Sequence, residues 1–284
     1  MEYLLHILIF IVIYIMLVQS LNLVAGYGNM ISLAHAGFYG IGAYTTALLS
    51  VNFNFPFLAT LPIAMIISGL IAFIVSLIAL RTVEDYFIIC TLGIQIVIFS
   101  LMNNWMDLTR GPLGIPGIPS LSIFGFTFDD KISFLILSIV LASIIFFLLR
   151  NITKSAFGKV LIALSEDEIY TQSIGKNVYK TKILTFTIGA MFAAVPGVLY
   201  AHYISYIDPT SFTVMESIFI LSIVIIGGMR NLWGGIIATA FLIILPEALR
   251  FIGLPNSIAA NLRQIIYGLI LVLVIFRYSK GFRS

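Results

Sequence analysis

The chain has 284 residues, of which 61% are hydrophobic and 10% are charged, and its formal net charge at pH 7 is +3. This composition excludes a water-soluble globular protein, because the folded surface would be too apolar for water. The mean hydropathy of +1.12 indicates an integral membrane protein. The small excess of basic residues clusters at the ends of apolar runs, so it does not favour binding to nucleic acid.

The membrane spans are expected to be helices, because the apolar runs are continuous rather than alternating and lipid requires paired backbone groups. No Asp, Glu, Lys or Arg occurs from Tyr3 to Leu80, so several spans follow one another. The candidate spans are residues 4–25, 33–51, 57–80, 86–105, 132–149, 183–204, 216–229, 232–250 and 262–276. The seventh and ninth runs are short for a bilayer crossing. We therefore expect an all-α polytopic bundle of about eight to ten transmembrane helices, with residues 1–284 as one domain.

The orientation of the bundle follows from Lys and Arg, which are enriched on the cytoplasmic side. The only long polar interval runs from Arg150 to Lys182, so it is expected in the cytoplasm. Alternation then places the loop from Met106 to Lys131 and the N-terminus outside. It also places Arg250 and Arg263 outside, against the rule. The further basic residues placed inside are Arg81, Arg230, Arg277, Lys280 and Arg283.

A glycine-rich segment, residues 26–44, follows the first span at membrane depth. Glycines such as Gly37 allow close backbone approach and allow a helix to break where it lines a cavity. The candidate residues for a translocation pathway in this segment are Asn29, Ser32, His35 and Tyr39. For His35, a hydrogen bond between helices is the more common role for a lone histidine in such a helix.

The polar interval contains the pattern of a short cytoplasmic helix. Ser165 and Glu168 have the spacing of a capping box, and Gly175 is a natural left-handed stop. This predicts a helix of about nine residues over 166–174, with an apolar stripe away from its acidic first turn. The residues assigned to this element are Ser165, Glu166, Asp167, Glu168, Ile169, Ile174 and Gly175. The element is either a solvated loop with a chance helix or a coupling helix that transmits force from a soluble partner.

Three small residues in the sixth candidate span, Gly189, Ala193 and Gly197, repeat at four-residue spacing. Such a ridge permits tight packing against a neighbouring helix. We therefore assign these residues a structural role.

Four charged residues lie in or near the late spans. Glu247 and Arg250 are three residues apart, so they can pair on one helical face, and a structural role is expected. Asp208 and Glu216 fall in or beside an external loop, where a solvated position explains both.

The sequence has no recognisable enzyme site. It lacks a Gly-x-x-x-x-Gly-Lys-Ser/Thr phosphate loop, and neither Ser32 nor Ser211 lies in a Gly-x-Ser-x-Gly setting. The single cysteine, Cys90, excludes an internal disulfide, and no Cys/His cluster has metal-ligand spacing. We expect no catalysis, metal or cofactor in this chain, so any ATP hydrolysis would have to come from another chain.

Several motifs resemble those of one transporter family. They are Leu21–Gly28, Ile31–Phe38 and Ile41–Tyr44 near the start, Thr109–Pro119 in the predicted external loop, and Gly227-Gly228, Trp233-Gly234 and Leu245–Arg250 near the end. As a set they resemble the permease subunits of branched-chain amino acid ABC importers of bacteria and archaea, in particular the LivM-like half of the LivH/LivM pair. Arg110 departs from the family motif, which has glycine there.

The resemblance implies an all-helical, multi-pass subunit in the cytoplasmic membrane. It also implies a second homologous permease subunit, two ATP-binding subunits and an external solute-binding protein. The segment matching Ala163–Gly175 is the one that contacts the ATP-binding subunit in the family, although Thr171-Gln172-Ser173 replaces its usual small apolar residues. The alternatives are a permease of the same family for urea or short amides, and a stand-alone channel or secondary carrier for a small solute.

Overall fold

The computed structural model is a bundle of apolar helices, and it describes residues 2–81, 84–123 and 125–251, together with 268, 269 and 272. The expected all-α membrane architecture is confirmed. The helices are α1 (Glu2–Leu21), α2 (His35–Phe53), α3 (Phe57–Ala79), α4 (Glu84–Asn104), α5 (Met106–Thr109), α6 (Lys131–Lys154), α7 (Ala156–Glu166), α8 (Glu168–Ser173), α9 (Val178–Ile204), α10 (Val214–Gly227) and α11 (Leu232–Phe251).

Within the described residues, five helices are long and apolar enough to cross a membrane, judged by length and composition: α1 with its continuation to Tyr27, α3, α4, α6 and α9. α2, α10 and α11 occupy three more of the predicted runs. α10 is short, with 14 residues, as its sequence predicted. The ninth predicted run, residues 262–276, lies outside the described part of the chain apart from three isolated residues.

The first span ends in a break within the glycine-rich segment. α1 continues as a π-helix over Asn22–Tyr27, and α2 begins only at His35. The amides around the start of α2 are bound by side chains from other helices. The amide of Leu33 donates to the Thr91 hydroxyl at 3.1 Å, and the amide of Ala36 donates to the Ser217 hydroxyl at 3.0 Å. The amide of Gly37 donates to the side-chain oxygen of Gln95 at 2.6 Å. Irregular backbone is tolerated at membrane depth because these groups are satisfied within the protein.

The centre of the bundle is the packing of α9 against α2 and α3. α2 and α9 approach so closely that a Cβ at Gly197 would lie 2.2 Å from the carbonyl oxygen of Tyr39. A Cβ at Gly42 would lie 2.3 Å from the carbonyl oxygen of Ala194. On the other side, a Cβ at Gly189 would lie 2.3 Å from Val24 Cγ2. Small residues therefore set the distance between these helices.

One end of the bundle is closed by two short antiparallel ladders. β1 (Ile115–Pro116) pairs with β4 (Tyr206–Ile207), and β2 (Ser122–Ile123) pairs with β3 (Phe126–Thr127). Lys131 and Glu2 form an ion pair with 3.1 Å between Nζ and Oε2 at this end. α6 runs from here to the opposite end, which carries Arg81, Arg150, α7, α8 and Arg230 and is called the basic end below.

Candidate functional site

The predicted cytoplasmic helix exists, but its boundaries differ from the expectation. α7 begins at Ala156, and Ser155 is its N-cap, with Oγ accepting from the amide of Gly158 at 3.3 Å. Ser165 lies near the end of α7 and its hydroxyl donates to the carbonyl of Ile162 at 2.7 Å. The predicted Ser165 cap was therefore wrong, because Ser165 lies inside α7, a helix that was not predicted, and the helix predicted over 166–174 corresponds to α8.

A second, shorter helix follows a break at Asp167, whose backbone is extended with φ −152°. Asp167 is the N-cap of α8, because its Oδ1 accepts from the amide of Tyr170 at 2.8 Å. Glu168 in the first turn forms an ion pair with Lys182, at 2.5 Å, which ties α8 to the start of α9. α8 ends before Gly175, which adopts the left-handed conformation predicted for it, at φ +80°.

α8 presents apolar side chains to its surroundings. Ile169, Tyr170 and Ile174 are 79%, 62% and 52% exposed, whereas Thr171 between them is fully buried. The Thr171 hydroxyl donates to the backbone oxygen of Asp167 at 2.8 Å, so it stabilises the first turn of the helix. Exposed isoleucines on a water-facing helix are typical of a contact surface for another protein. We call Ile169, Tyr170 and Ile174 the α8 face.

Arg230 connects α7 to the membrane bundle. Its Nη2 donates to Ser165 Oγ at 2.6 Å, and its Nη1 lies 3.6 Å from Glu166 Oε1. The residue lies in the turn between α10 and α11, with φ +64°. Arg230 was predicted on the same side of the membrane as the 150–182 interval, and it lies at the same end of the bundle as α7. No sequence pattern indicated the contact itself, because the two segments are far apart in the chain.

The backbone of Arg230 is held by the π-helical end of the first span. Its amide donates to Asn22 Oδ1 at 3.0 Å, and its carbonyl accepts from the Tyr27 hydroxyl at 2.8 Å. Gly26 leaves room for this approach, since a Cβ there would lie 2.7 Å from the Arg230 amide nitrogen. α7 is therefore connected by direct contacts to the first span and to the α10–α11 turn. We call Asn22, Tyr27, Ser165, Glu166 and Arg230 the arginine junction.

The four candidate pathway residues do not share one environment. Ser32, His35 and Tyr39 are buried within the chain, whereas Asn29 is exposed and has φ +51°. His35 Nε2 lies 2.7 Å from Ser20 Oγ on α1, which is the interhelical hydrogen bond weighed above. Tyr39 packs against the rings of Phe212 and Tyr200, with centroids 5.0 and 5.6 Å away.

Glu216 corrects an expectation, because it does not lie in a solvated loop. It is in the first turn of α10, where the hydroxyl of Tyr14, midway along α1, donates to its carboxylate. The neighbouring residue Ser217 accepts a hydrogen bond from the amide of Ala36 at the start of α2, within the apolar bundle. A carboxylate inside a membrane bundle is energetically costly and commonly marks a substrate or ion path. Glu216 is therefore a pathway candidate that sequence analysis missed.

Glu247, the other late carboxylate, accepts a hydrogen bond from the Tyr3 hydroxyl at the end of the bundle opposite the basic end. The predicted partner Arg250 is in α11, but its side chain lies outside the described part of the structure. Among the described residues, no group of three or more His, Cys, Asp or Glu could hold a metal ion. The geometry of the described residues thus offers a contact face and a mechanical connection.

Comparison with known proteins decides the family. The sequence model described as "Branched-chain amino acid transport system / permease component" matches residues 3–275. The chain belongs to this family. It is 34% identical over 261 residues to the high-affinity branched-chain amino acid transport system permease protein LivM of Salmonella typhimurium, and equally to LivM of Escherichia coli K12. It is 26% identical over 240 residues to the permease protein LivH of Salmonella typhimurium.

The alignments cover different shares of this chain and of its relatives. The LivM alignments cover 84% of this permease and 61% of each LivM protein, and the LivH alignment covers 79% and 77%. No solved structure matches this chain. The family is one of transport permeases, and with its apolar helices the chain is a multi-pass membrane protein.

Proposed function

We propose that this permease is one of two homologous membrane subunits of an ATP-driven importer for branched-chain amino acids and forms half of the pathway through the cytoplasmic membrane. The basic end faces the cytoplasm in this proposal, as the positive-inside rule predicts. Family membership supports the transport role. The names of LivM and LivH, which the chain resembles, support the cargo and the pairing of two permeases.

The observation that carries the ATP-driven part of the proposal is the exposed α8 face joined to the bundle. An ATP-binding subunit would bury Ile169, Tyr170 and Ile174 when it docks. Its movement would reach the bundle along two routes, through the Glu168–Lys182 ion pair to α9 and through the arginine junction to the first span. The subunit itself needs no cofactor, since ATP and Mg²⁺ would bind to the two partner ATPases.

The substrate path is proposed to pass Glu216. Its carboxylate would attract the ammonium group of an amino acid, while the surrounding Tyr14 and Phe219, whose rings lie 5.7 Å apart, would contact the branched side chain. An external solute-binding protein would supply the substrate from the side opposite the basic end. A single carboxylate is expected to bind weakly, which suits a path that must release its cargo.

The first experiment tests the ATPase partner by co-purification. The chain is expressed with the neighbouring transporter subunits, and the double variant Ile169→Glu/Ile174→Glu is compared with the natural chain. We expect the variant to reach the membrane but to lose the ATP-binding subunit and ATP-dependent uptake, because charge is placed where an apolar face should dock. Asn151→Glu/Ala156→Glu is the matched control, since both residues are also exposed but lie outside α8.

The same preparation distinguishes the alternatives. If the natural chain purifies alone and transports solute in liposomes without nucleotide, it is a stand-alone channel or carrier and the proposal is wrong. If uptake requires ATP but urea or a short amide is the cargo that competes with leucine-type substrates, the architecture holds and the assigned substrate is wrong. Calorimetry of the associated solute-binding protein would identify that cargo directly.

The second experiment tests the path. Glu216→Gln keeps an acceptor for the Tyr14 hydroxyl but removes the charge. We expect a raised apparent KM for uptake with ATPase coupling intact. Unchanged uptake kinetics would exclude Glu216 from the path without affecting the α8 proposal. Asp208→Asn is the control, because Asp208 caps the short helix Pro209–Phe212 and lies outside α10.

A further inference from the structure

Two adjoining cavities lie beside α6, and the function proposed above uses neither of them as a site. One has a volume of about 350 Å³ and the other about 400 Å³. Phe146, Arg150 and Trp233 line both cavities, so the two are adjacent, and together they are called the groove below. Phe146 and Trp233 pack edge to face at the boundary, with ring centroids 5.1 Å apart.

The first cavity is apolar. It lies between α1, α6 and α11, with Val12, Ile15, Ile139 and Ile236 among its lining residues. It opens among side chains of α6 that face outward from the bundle, including Ile139 at 47% and Phe147 at 56% exposure. Because α6 is long and apolar enough to cross a membrane, its outward side chains would face lipid hydrocarbon. The cavity therefore suits a hydrocarbon chain rather than a polar ligand.

The second cavity is cationic and lies at the basic end. Arg150, Lys154 and Arg230 line it, and none of its lining residues is acidic. Arg230 is already paired with Glu166. Arg150 and Lys154 form no ion pair with any residue in the described part of the chain. They are one helical turn apart on α6, so both cations lie on the same face of that helix.

The position of the groove matches the boundary between hydrocarbon and headgroups. Trp233, which is 62% exposed, lies at the junction of the two cavities, and tryptophan is enriched at this depth of a membrane. Arg150 and Lys154 are in the last two turns of the 24-residue helix α6. The ligand that fits must therefore be an amphiphile with an anionic head and a hydrocarbon tail.

We propose that the groove binds one anionic phospholipid from the leaflet at the basic end, with its phosphate between Arg150 and Lys154 and an acyl chain in the apolar cavity. Basic pockets between transmembrane helices on the cytoplasmic side are suited to such headgroups. The headgroup would lie beside Arg230, in the same cavity as one member of the arginine junction. Bound lipid would thus stabilise the α10–α11 turn to which α7 is attached.

The test is a lipid titration of the purified full chain, delipidated in mild detergent, followed by native mass spectrometry. Phosphatidylglycerol and phosphatidylcholine with identical acyl chains are compared. Each cation near the headgroup contributes about fivefold in affinity, so we expect the double variant Arg150→Gln/Lys154→Gln to bind phosphatidylglycerol about 25-fold more weakly. Its affinity for phosphatidylcholine should change little.

A matched control removes the same charge elsewhere. Lys159 and Lys176 are exposed at the basic end and do not line the groove, so Lys159→Gln/Lys176→Gln should retain the binding of phosphatidylglycerol. An equal loss of affinity in this control would overturn the proposal, because it would indicate general charge attraction. Equal affinities of the natural chain for the two lipids would also overturn it.

The apolar half is tested by filling it. Ser143 lines the apolar cavity, whereas Val140 is exposed on the same helix outside it. Ser143→Trp should weaken the binding of both lipids at least fivefold, and Val140→Trp should not.

If soluble glycerol phosphate displaces the lipid at the concentration of the lipid itself, the site recognises free phosphate and the lipid assignment is wrong. If the Arg150→Gln/Lys154→Gln variant instead loses a co-purifying protein with lipid binding unchanged, the groove is a protein interface.

Discussion

The crossing of α2 and α9 and the α7–α8 segment are built by opposite means. At the crossing, Gly42 and Gly197 leave no space for even a methyl group, and contact with neighbouring backbone fixes the geometry. At the basic end, α7 buries Leu161 and Leu164 in the bundle. α8 instead exposes Ile169 and Tyr170 and is tied to α9 by the Glu168–Lys182 ion pair. The crossing is therefore fixed by close packing, whereas α8 is held to α9 by a partly exposed pair that a partner can displace.

This difference suits a protein in which one part must move relative to another. A close-packed interface transmits force but deforms little. Contacts such as Arg230 to Ser165 and Glu166 transmit force at one point and can be broken at low cost in free energy, because the carboxylate of Glu166 is 68% exposed. The comparison predicts large stability effects and no specific uptake effect at the crossing. At the basic end it predicts small effects on stability and a specific loss of uptake.

The largest effect on stability is expected for Gly197→Ala. The new Cβ would lie 2.2 Å from the carbonyl oxygen of Tyr39 and 2.8 Å from the amide nitrogen of Ala43, so the two helices must separate. Overpacking of this kind costs about 1–3 kcal/mol, measurable as a lower thermal unfolding midpoint in detergent. Gly93→Ala is the control, since a Cβ at Gly93 would have no atom within 4 Å apart from its chain neighbours and the nearby backbone of α4. Equal midpoints for the two variants would contradict the rigid crossing.

An intermediate effect, in the stabilising direction, is expected for Arg110→Gly. Arg110 has φ +58°, a left-handed conformation that is unfavourable for a residue with a Cβ. Glycine relieves that strain but loses more chain entropy on folding, leaving a gain of about 0.5–1 kcal/mol. Arg110→Ala keeps the Cβ and should give no such gain. A higher unfolding midpoint for the alanine variant than for the glycine variant would show that the backbone conformation is not the cause.

The smallest effect on stability is expected for Glu166→Lys, which places a cation beside Arg230. A pair this exposed contributes about 0–1 kcal/mol, so folding and membrane insertion should be unchanged. ATP-coupled uptake should nevertheless fall, because the like charges push α7 away from the arginine junction. Normal uptake by this variant in proteoliposomes with its partner subunits would count against the coupling role of the segment.

A charge exchange sharpens the same prediction. Glu166→Arg combined with Arg230→Glu restores opposite charges at the position of the 3.6 Å pair. We expect the double variant to recover part of the uptake lost in Glu166→Arg alone, although the bond from Arg230 to Ser165 is not restored. If the double variant is no better than the single ones, the charge pair does not carry the coupling.

The sequence by itself determined the class of protein and most of its spans. A run of apolar residues as long as a bilayer is thick has one stable solution in lipid, a helix, so α1, α3, α4, α6 and α9 were predictable from length and hydropathy. The left-handed stop at Gly175 was also predictable, because its cause is local. The cap of the short helix α8 was wrongly assigned to Ser165, because Ser165 and Asp167 are both good cap residues and only the folded chain distinguishes them.

Only the tertiary structure decided which distant residues meet. Asn22, Ser165 and Arg230 come from three separate segments, and no periodicity in the sequence links them. Glu216 looked solvated because it follows a polar loop, but the start of α10 lies against α1 and α2. Local sequence patterns reflect the free energy of forming a helix or a turn, whereas contacts between helices depend on how the whole bundle packs.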